Sequence, residues 1–187
     1  MIFEKIEKVH EGKFLDYYNV TYHDGNGNKR VYEMVSRDKD LDCEEKLYDH
    51  PTDAVVMIVT DRTDEHIVLL REFRLELGET IFGLPAGLVD PGEDVRQCAV
   101  RELKEETGLD MVEIHDVLKG AFCAVGISNE TTSCVICTAD GEFSHYDTDG
   151  EEIDAAWYTK AQVRELIKTH HFGSWAQAFC YNWSREK

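Results

Sequence analysis

Three glutamates stand close together in a segment with helical spacing. Glu102 precedes Glu105 by three residues and Glu106 by four, so a helix would place their carboxylates side by side. Like charges at those spacings repel each other, and partial burial strengthens the repulsion. Arg101 can balance one carboxylate, and a hard divalent cation, which prefers oxygen ligands, can balance the rest and hold phosphate oxygens. These residues therefore predict a metal site that is able to bind phosphate.

The helix expected to carry these glutamates runs from Asp94 to Thr107. Its apolar side chains fall on one face of a helical projection: Val95, Cys98, Ala99 and Leu103. The glutamates fall on or beside that face, whereas a solvated acidic surface, the usual alternative for a charge run, would place them opposite. Glu93 and Asp94 suit the start of a helix, and Gly108 is expected to end it in a left-handed conformation.

The segment from Gly87 to Leu109 resembles the Nudix box, a pattern of glycine, glutamate and arginine at fixed spacing. Its fixed positions are filled by Gly87, Glu93, Arg101, Glu102, Glu105, Glu106 and Gly108, and its aliphatic positions by Leu103 and Leu109. Seven identities at fixed spacing are far more specific than a lone glycine motif. The resemblance implies a hydrolase that cleaves a phosphoanhydride bond with the help of a divalent metal.

The resemblance also implies a role for each residue of the box. The ligands expected for Mg²⁺ or Mn²⁺ are Glu102, Glu105, Glu106 and the backbone carbonyl of Ala86. Arg101 is expected to orient the glutamates and to belong, with Glu105 and Glu106, to the catalytic group. Glu93 and Gly108 are expected to have structural or outer-shell roles.

The residues before the box are similar to the layout of ADP-ribose and other nucleoside-diphosphate-sugar pyrophosphatases. This resemblance implies that Arg74 and Gly87 contact the substrate, although a surface strand charge is the alternative for Arg74. Glu130 is interpreted as a pocket residue, with an ordinary loop charge as its alternative. Val125 stands where the ADP-ribose branch tends to have a proline. This departure weakens the prediction that ADP-ribose is the substrate. The broader prediction of a nucleotide sugar is unaffected.

The similar enzymes also draw a catalytic glutamate from a mobile loop after the box. The polar stretch from Asp147 to Glu152 is the obvious candidate, because it is acidic and precedes an expected strand. Either Glu151 or Glu152 would be the base, and a box glutamate or a merely solvated turn are the alternatives. The sequence does not separate Glu151 from Glu152.

An N-terminal hairpin is indicated by two segments rich in aromatic and β-branched residues, 14–23 and 30–36. The residues between them, from Asp24 to Lys29, have strong turn chemistry. Residues 1–45 are therefore interpreted as a small β-rich unit, and residues 46–187 as the Nudix hydrolase domain. In the similar enzymes such a unit builds a homodimer and completes the substrate pocket.

The remaining elements place the box within a mixture of strands and helices. Strands are expected at 54–60, 66–73, 81–86, 112–118, 120–124, 132–138 and 155–158. Helices are expected at 160–168 and after Ser174, a plausible N-cap. The mixture predicts an α/β (α+β) class. The resemblance refines it to a Nudix-type α/β/α sandwich around a mixed β-sheet, preceded by a small antiparallel N-terminal β unit.

Charge and composition limit the classes of binding partner that are expected. Lys and Arg number 20 against 38 Asp and Glu, a net charge of −18, which repels nucleic-acid polymers but does not exclude small anions near a bound cation. No apolar run approaches the ~18 residues of a membrane helix, so no membrane partner is expected. The first residues lack the layout of a signal peptide, which makes a cytoplasmic protein the expectation.

The six cysteines include a pair, Cys134 and Cys137, with the spacing of a zinc or redox motif. The residues around them read as a strand, in which positions three apart point to opposite faces. A second ligand pair at suitable spacing is absent from the sequence. Buried free thiols are therefore the preferred interpretation, with zinc or redox chemistry as the alternative.

The sequence favours cleavage of a nucleoside diphosphate linked to another group, most simply ADP-ribose or a related nucleotide sugar. The products would be a nucleoside monophosphate and a sugar phosphate. One alternative is a Nudix enzyme acting on nucleoside triphosphates, dinucleoside polyphosphates or coenzyme A. Two others are a non-catalytic Nudix-fold nucleotide sensor and a plain acidic calcium-binding or interaction protein.

Overall fold

The computed structural model describes residues 1–144 and 152–186. Contacts divide the chain into two compact units, one formed by Met1–Asp53 with Gly120–Thr132 and the other by Ala54–Lys119 with Ser133–Lys187. The domain boundary expected after residue 45 stays a prediction. Among the described residues, no helix is both long enough and apolar enough to span a membrane.

The smaller sheet has three antiparallel strands in the order β1-β2-β3. They are β1 (Ile2–His10), β2 (Asp16–His23) and β3 (Lys29–Ser36). The β2–β3 hairpin confirms the prediction. Its turn is held by the Asp24 carboxylate, which accepts hydrogen bonds from the backbone N–H groups of Asn26 and Asn28, both at 2.9 Å. Strand β1 was not predicted, because it is largely exposed and lacks the apolar alternation of a half-buried strand.

A buried ion cluster accompanies the core of this sheet. The core contains Tyr18, Val20, Met34 and Leu41. The side chain of Asp16 is fully buried, and its two oxygens lie 2.6 Å from the Nζ atoms of Lys8 and Lys39. It also accepts a hydrogen bond from the backbone N–H of Gly12 at 3.1 Å. Two lysines thus surround one carboxylate and hold its pKa well below the ordinary value.

The larger sheet is mixed and has seven strands, with the path β10-β5-β4-β9-β8 and with β6 paired to β5 and β7 paired to β4. Its strands are β4 (Ala54–Thr60), β5 (His66–Arg74), β6 (Glu79–Gly83), β7 (Ala86–Leu88), β8 (Asp110–Phe122), β9 (Thr131–Asp140) and β10 (Ile153–Thr159). Two strands were predicted where β8 is continuous. A lone Gly120 does not end the strand, because no turn residues accompany it.

Within residues 1–144 and 152–186, three α-helices cover the two faces of this sheet: α1 (Val95–Thr107), α2 (Lys160–Thr169) and α3 (Ser174–Trp183). One apolar cluster joins α1 to alternate residues of β4 and β9, such as Met57 and Val135. A second cluster joins α2 and α3 to the intervening residues, such as Val56. The predicted α/β/α sandwich is therefore confirmed. The N-cap of α3 is Gly173, however, not Ser174, and no side chain caps it.

The cysteine pair of β9 is divided between these clusters. Cys134 belongs to the cluster with α2 and α3, and Cys137 to the cluster with α1. Both are free thiols, and burial raises the pKa of Cys137 to about 12. The two sulfurs face opposite sides of the sheet, as the strand interpretation predicted, so they do not form one metal or redox site.

Candidate active site

Helix α1 begins with a capping box. The Asp94 carboxylate accepts hydrogen bonds from the backbone N–H groups of Arg96 and Gln97, and the Gln97 side chain accepts one from the backbone N–H of Asp94. At the other end Gly108 has φ 78°, the left-handed conformation that was predicted. The start and end of the helix, and so the register of its glutamates, are thus fixed by local interactions.

The apolar face of α1 determines which side the carboxylates take. Cys98, Ala99 and Leu103 have no exposed surface and pack against the sheet. Beside them the Glu102 side chain is 15% exposed, whereas the Glu105 side chain is 47% exposed. The three glutamates therefore lie along the edge of the packing face, with Glu102 partly buried and Glu105 exposed.

Arg101 is the cation at the centre of the site. Its Nε and Nη2 atoms donate to the two oxygens of Glu93 at 3.0 and 2.8 Å, a bidentate pair. Its Nη1 atom donates to Glu102 at 2.8 Å and to Glu105 at 3.1 Å. The guanidinium lowers the pKa of Glu93 to about 2, and its own pKa is raised by these partners. One positive charge is thus shared by three carboxylates, where sequence reasoning expected it to balance one.

Gly87 provides the space for the Glu102 carboxylate. It lies in β7, opposite Val55 of β4. A Cβ atom at this position would be 1.9 Å from the Cδ atom of Glu102, so only a residue without a side chain permits this approach. Burial raises the pKa of Glu102 above its ordinary value. The carboxylate is therefore held in a confined place where a counter-charge is needed.

Strand β7 also contacts the third glutamate. The backbone N–H of Ala86 donates to a carboxylate oxygen of Glu106 at 3.1 Å. Together with the Gly87 contact, this places Glu102 and Glu106 of α1 beside β7. Among residues 1–144 and 152–186, no group of three His, Cys, Asp or Glu side chains lies close enough together to hold a metal ion. The all-oxygen donor set and the excess of carboxylates over Arg101 nevertheless suit a hard cation.

Two of the other predicted site residues, Arg74 and Glu130, form ion pairs. Arg74 donates to Glu72 at 2.7 Å and to Glu76 at 2.9 Å. Glu130 accepts from the Nε atom of Arg37 at 3.0 Å. Sequence reasoning did not identify Arg37, which is 93 residues away and has no motif.

Glu151 and Glu152 were the two residues predicted as the catalytic base. Glu152 is exposed, and its carbonyl oxygen accepts from the backbone N–H of Phe73 at 3.2 Å. Glu151 lies outside the described residues. Which of the two acts as a base therefore stays a prediction.

Comparison with known proteins shows several relatives. The mouse ADP-sugar pyrophosphatase is 33% identical over 142 residues, which cover 73% of this chain and 60% of the mouse protein. The ADP compounds hydrolase NudE of Escherichia coli strain K12 is 31% identical over 103 residues, 55% of this chain and 48% of NudE. The chain thus spans about half to three-fifths of the length of these relatives.

A crystal structure of an ADP compounds hydrolase shares the fold with a TM-score of 0.70 and 23% identity, covering 99% of this chain and 93% of that one. The family model of the NUDIX domain matches residues 50–177, which is more than half of the 187 residues. That range contains all of α1, which carries the glutamates, and all of β7, which contains Gly87. The chain belongs to the Nudix family.

Proposed function

We propose that this protein is a metal-dependent pyrophosphohydrolase that cleaves the diphosphate of a nucleoside diphosphate linked to another group. ADP-ribose or a related nucleotide sugar is the proposed substrate, and a nucleoside monophosphate and a sugar phosphate are the products. The observation that carries the proposal is the site between β7 and α1, where one arginine is shared by three carboxylates and a glycine makes room for Glu102. The names of the mouse and bacterial relatives support the substrate class.

Nudix hydrolases in general depend on a divalent metal. In this chain the proposed ligands for Mg²⁺ or Mn²⁺ are Glu102, Glu105, Glu106 and the carbonyl of Ala86. When bound, the cation withdraws charge from the phosphate and lowers the pKa of coordinated water.

The chain's own residues position the charges. Glu93 holds Arg101 with a bidentate pair, and Arg101 in turn orients Glu102 and Glu105. The Ala86 N–H fixes a carboxylate oxygen of Glu106. A site held in this way has little to reorganise during the reaction, which is how preorganised electrostatics accelerate phosphoryl transfer. Proton removal from water is assigned to a carboxylate, either Glu151 or Glu152 or a glutamate of the box.

Substrate recognition is proposed to involve Arg74, Gly87 and Glu130. Arg74 and Glu130 are already in ion pairs, which would keep their side chains in place for a ligand. The N-terminal β unit is proposed to mediate a homodimer. Val125 remains the reason to test other nucleotide sugars beside ADP-ribose.

A substrate panel tests the proposal. The protein is incubated with Mg²⁺ and ADP-ribose, GDP-mannose, UDP-sugars, NADH or nucleoside triphosphates, and the products are separated by chromatography. We expect the highest kcat/KM for a nucleotide sugar, with a nucleoside monophosphate as product. A preference for triphosphates would move the protein to another Nudix substrate class. Tight ligand binding without any metal-dependent product would instead indicate a sensor.

A matched pair of variants tests the site. Glu106→Gln is expected to abolish most turnover with the preferred substrate while the fold remains intact, because it removes a charge without changing shape. Glu165→Gln is the control, since Glu165 is an exposed helix glutamate that pairs with Lys168 at 2.9 Å. Wild-type turnover of Glu106→Gln at saturating Mg²⁺ would refute the role given to that glutamate.

A further inference from the structure

Arg74 lies at the end of β5, immediately before the turn of residues 75–78 that leads into β6. The Arg74 carbonyl closes this turn by accepting hydrogen bonds from the backbone N–H groups of Leu77 at 3.0 Å and Gly78 at 2.9 Å. Gly78 has φ 63°, a left-handed conformation that favours glycine. This compact turn brings Glu76 back beside the Arg74 side chain.

Two carboxylates share the Arg74 guanidinium, and they use different parts of it. Nη1 donates to an oxygen of Glu72 at 2.7 Å. Nε and Nη2 both donate to the Oε1 atom of Glu76, at 3.3 and 2.9 Å. Nε and Nη2 form one edge of the guanidinium, whose two parallel N–H groups match two oxygens of a carboxylate or a phosphate. Because Glu76 meets that edge with a single oxygen, it makes a weaker pair than the edge permits.

The two carboxylates also differ in how firmly they are held. Glu72 lies within β5, opposite Ile81 of β6 and Ile153 of β10, and its side chain is 20% exposed. Glu76 lies in the turn, and its side chain is 63% exposed. Exposed ion pairs contribute little because water and salt screen them, whereas a partly buried, charge-assisted hydrogen bond is stronger. Glu72 is therefore the firm partner of Arg74, and Glu76 is the replaceable one.

The charge of Glu76 makes it a competitor for other anions. Hydrogen bonds from its own backbone N–H, and then from Arg74, lower the pKa of Glu76 below its ordinary value, so it is ionised at neutral pH. The Arg74 side chain is partly exposed, which lets a dissolved anion reach it. Any such anion must displace the Glu76 carboxylate to pair with the Nε and Nη2 edge.

We propose that Glu72 is a positioning residue that holds Arg74 for the substrate, and that Glu76 occupies the edge of Arg74 that a substrate phosphate takes. On binding, two phosphate oxygens replace the single Glu76 oxygen at Nε and Nη2, while the bond from Nη1 to Glu72 stays. Glu76 thereby sets the affinity for the diphosphate. This proposal rests on the substrate-binding role proposed for Arg74.

Nuclear magnetic resonance of the full chain with ¹⁵N-labelled arginine tests the exchange of partners without turnover. The Nε–H signal of Arg74 is assigned by its loss in Arg74→Lys. Methylenediphosphonate, a diphosphate analogue in which a carbon bridge prevents hydrolysis, is titrated in the presence of Mg²⁺. We expect the Arg74 signal to shift as the analogue binds. A signal that does not respond to the analogue would overturn the proposal.

Three variants separate the two roles in this titration. Glu76→Gln should bind the analogue about threefold more tightly, the scale of one exposed ion pair. Glu72→Gln should bind it about tenfold more weakly, because the bond that orients the guanidinium loses its charge. Glu79→Gln is the matched control, since Glu79 lies opposite Arg74 in β6, is 54% exposed and pairs with His171 at 2.8 Å. It removes the same charge from the same hairpin, so its affinity should stay close to that of the wild type.

Steady-state kinetics test the same contrast with the preferred nucleotide sugar. We expect KM to fall about threefold in Glu76→Gln and to rise about tenfold in Glu72→Gln, with kcat unchanged in both, because uniform binding changes KM alone. A purely structural role of Glu72 would lower the Tm of Glu72→Gln and leave its KM unchanged. Equal KM values for the wild type and Glu76→Gln, or an equal fall in Glu76→Gln and Glu79→Gln, would overturn the proposal.

Turnover and analogue binding are independent readouts. Absence of turnover on every pyrophosphate would refute the proposed function, and the titration would still decide whether Glu76 and a diphosphate compete for Arg74. Metal-dependent turnover with the same KM in the wild type and in Arg74→Lys would leave the proposed reaction in place. That result would overturn the roles given to Glu72 and Glu76.

Discussion

Two ion clusters of this protein are built from the same kinds of groups in opposite proportions. In the three-stranded sheet, the buried Asp16 lies between Lys8 and Lys39 at 2.6 Å. On α1, Arg101 alone donates to Glu93, Glu102 and Glu105 at 2.8 to 3.1 Å. The first cluster has one carboxylate for two cations, and the second has three carboxylates for one cation.

The difference separates a structural cluster from a site prepared for a ligand. The Asp16 cluster needs no further positive charge, so its contribution is to stability. The α1 cluster keeps two uncompensated negative charges beside a confined carboxylate, an arrangement that costs stability unless a cation arrives.

Removing one charge from the α1 cluster should lower the activity strongly and leave the thermal stability nearly unchanged. We expect Glu102→Gln to lower kcat on the preferred nucleotide sugar by about 10²- to 10³-fold, the usual effect of losing one preorganised electrostatic group. Its Tm without metal should stay within a few degrees of the wild type, because one repelling charge is gone. Steady-state assays and thermal unfolding measure both. Undiminished turnover would place the reaction elsewhere.

Removing the carboxylate of the other cluster should do the opposite. Asp16→Asn leaves Lys8 and Lys39 without their buried partner, and we expect Tm to fall by about 10 °C. Added Mg²⁺ should leave that difference unchanged, and kcat of the folded protein should be that of the wild type. Asp49→Asn, an exposed aspartate of the same unit, is the control in thermal unfolding. Equal Tm values for the two variants would contradict a structural role for Asp16.

Filling the space beside Gly87 should lower the affinity of the site for a metal ion. In Gly87→Ala the new Cβ would lie 1.9 Å from the Cδ atom of Glu102, so the carboxylate must move. We expect the affinity for Mn²⁺, measured by calorimetry, to fall by about tenfold. Gly83→Ala is the control, because a Cβ there meets nothing within 4 Å. Unchanged affinity in Gly87→Ala would show that the position of Glu102 is not critical.

The smallest effect concerns pH. Because Arg101 lowers the pKa of Glu93 to about 2, the pair contributes stability that is present above the unfolded pKa of about 4.5 and is lost as the pH falls through about 2. The difference in urea midpoint between the wild type and Glu93→Gln should therefore shrink as the pH is lowered from about 5 toward 2. A difference that does not depend on pH would mean that the ion pair contributes nothing.

The parts of this structure that could be predicted from sequence are those governed by local interactions. The bounds of α1 follow from apolar spacing and from Gly108, and the β2–β3 hairpin follows from its turn residues. Strand β1 was missed because its exposed edge position removes the apolar alternation.

Within the site, the glutamates could be predicted but their surroundings could not. Helical spacing alone makes Glu102 and Glu105 equivalent, yet β7 covers the first and leaves the second exposed. The bidentate pair of Arg101 with Glu93 depends on the path of the loop before α1. The Arg37–Glu130 pair joins residues 93 positions apart, for which one sequence carries no signal.

Calorimetric titration of Mn²⁺ into the wild type and into Glu102→Gln tests whether the carboxylates of α1 hold the metal. If the excess carboxylates of α1 form the metal site, the wild type should bind the ion and the variant should bind it at least about tenfold more weakly. Asp16→Asn should bind as the wild type. Equal affinities for the wild type and Glu102→Gln would contradict a metal site on α1, because the uncompensated charge would then have no part in holding the metal.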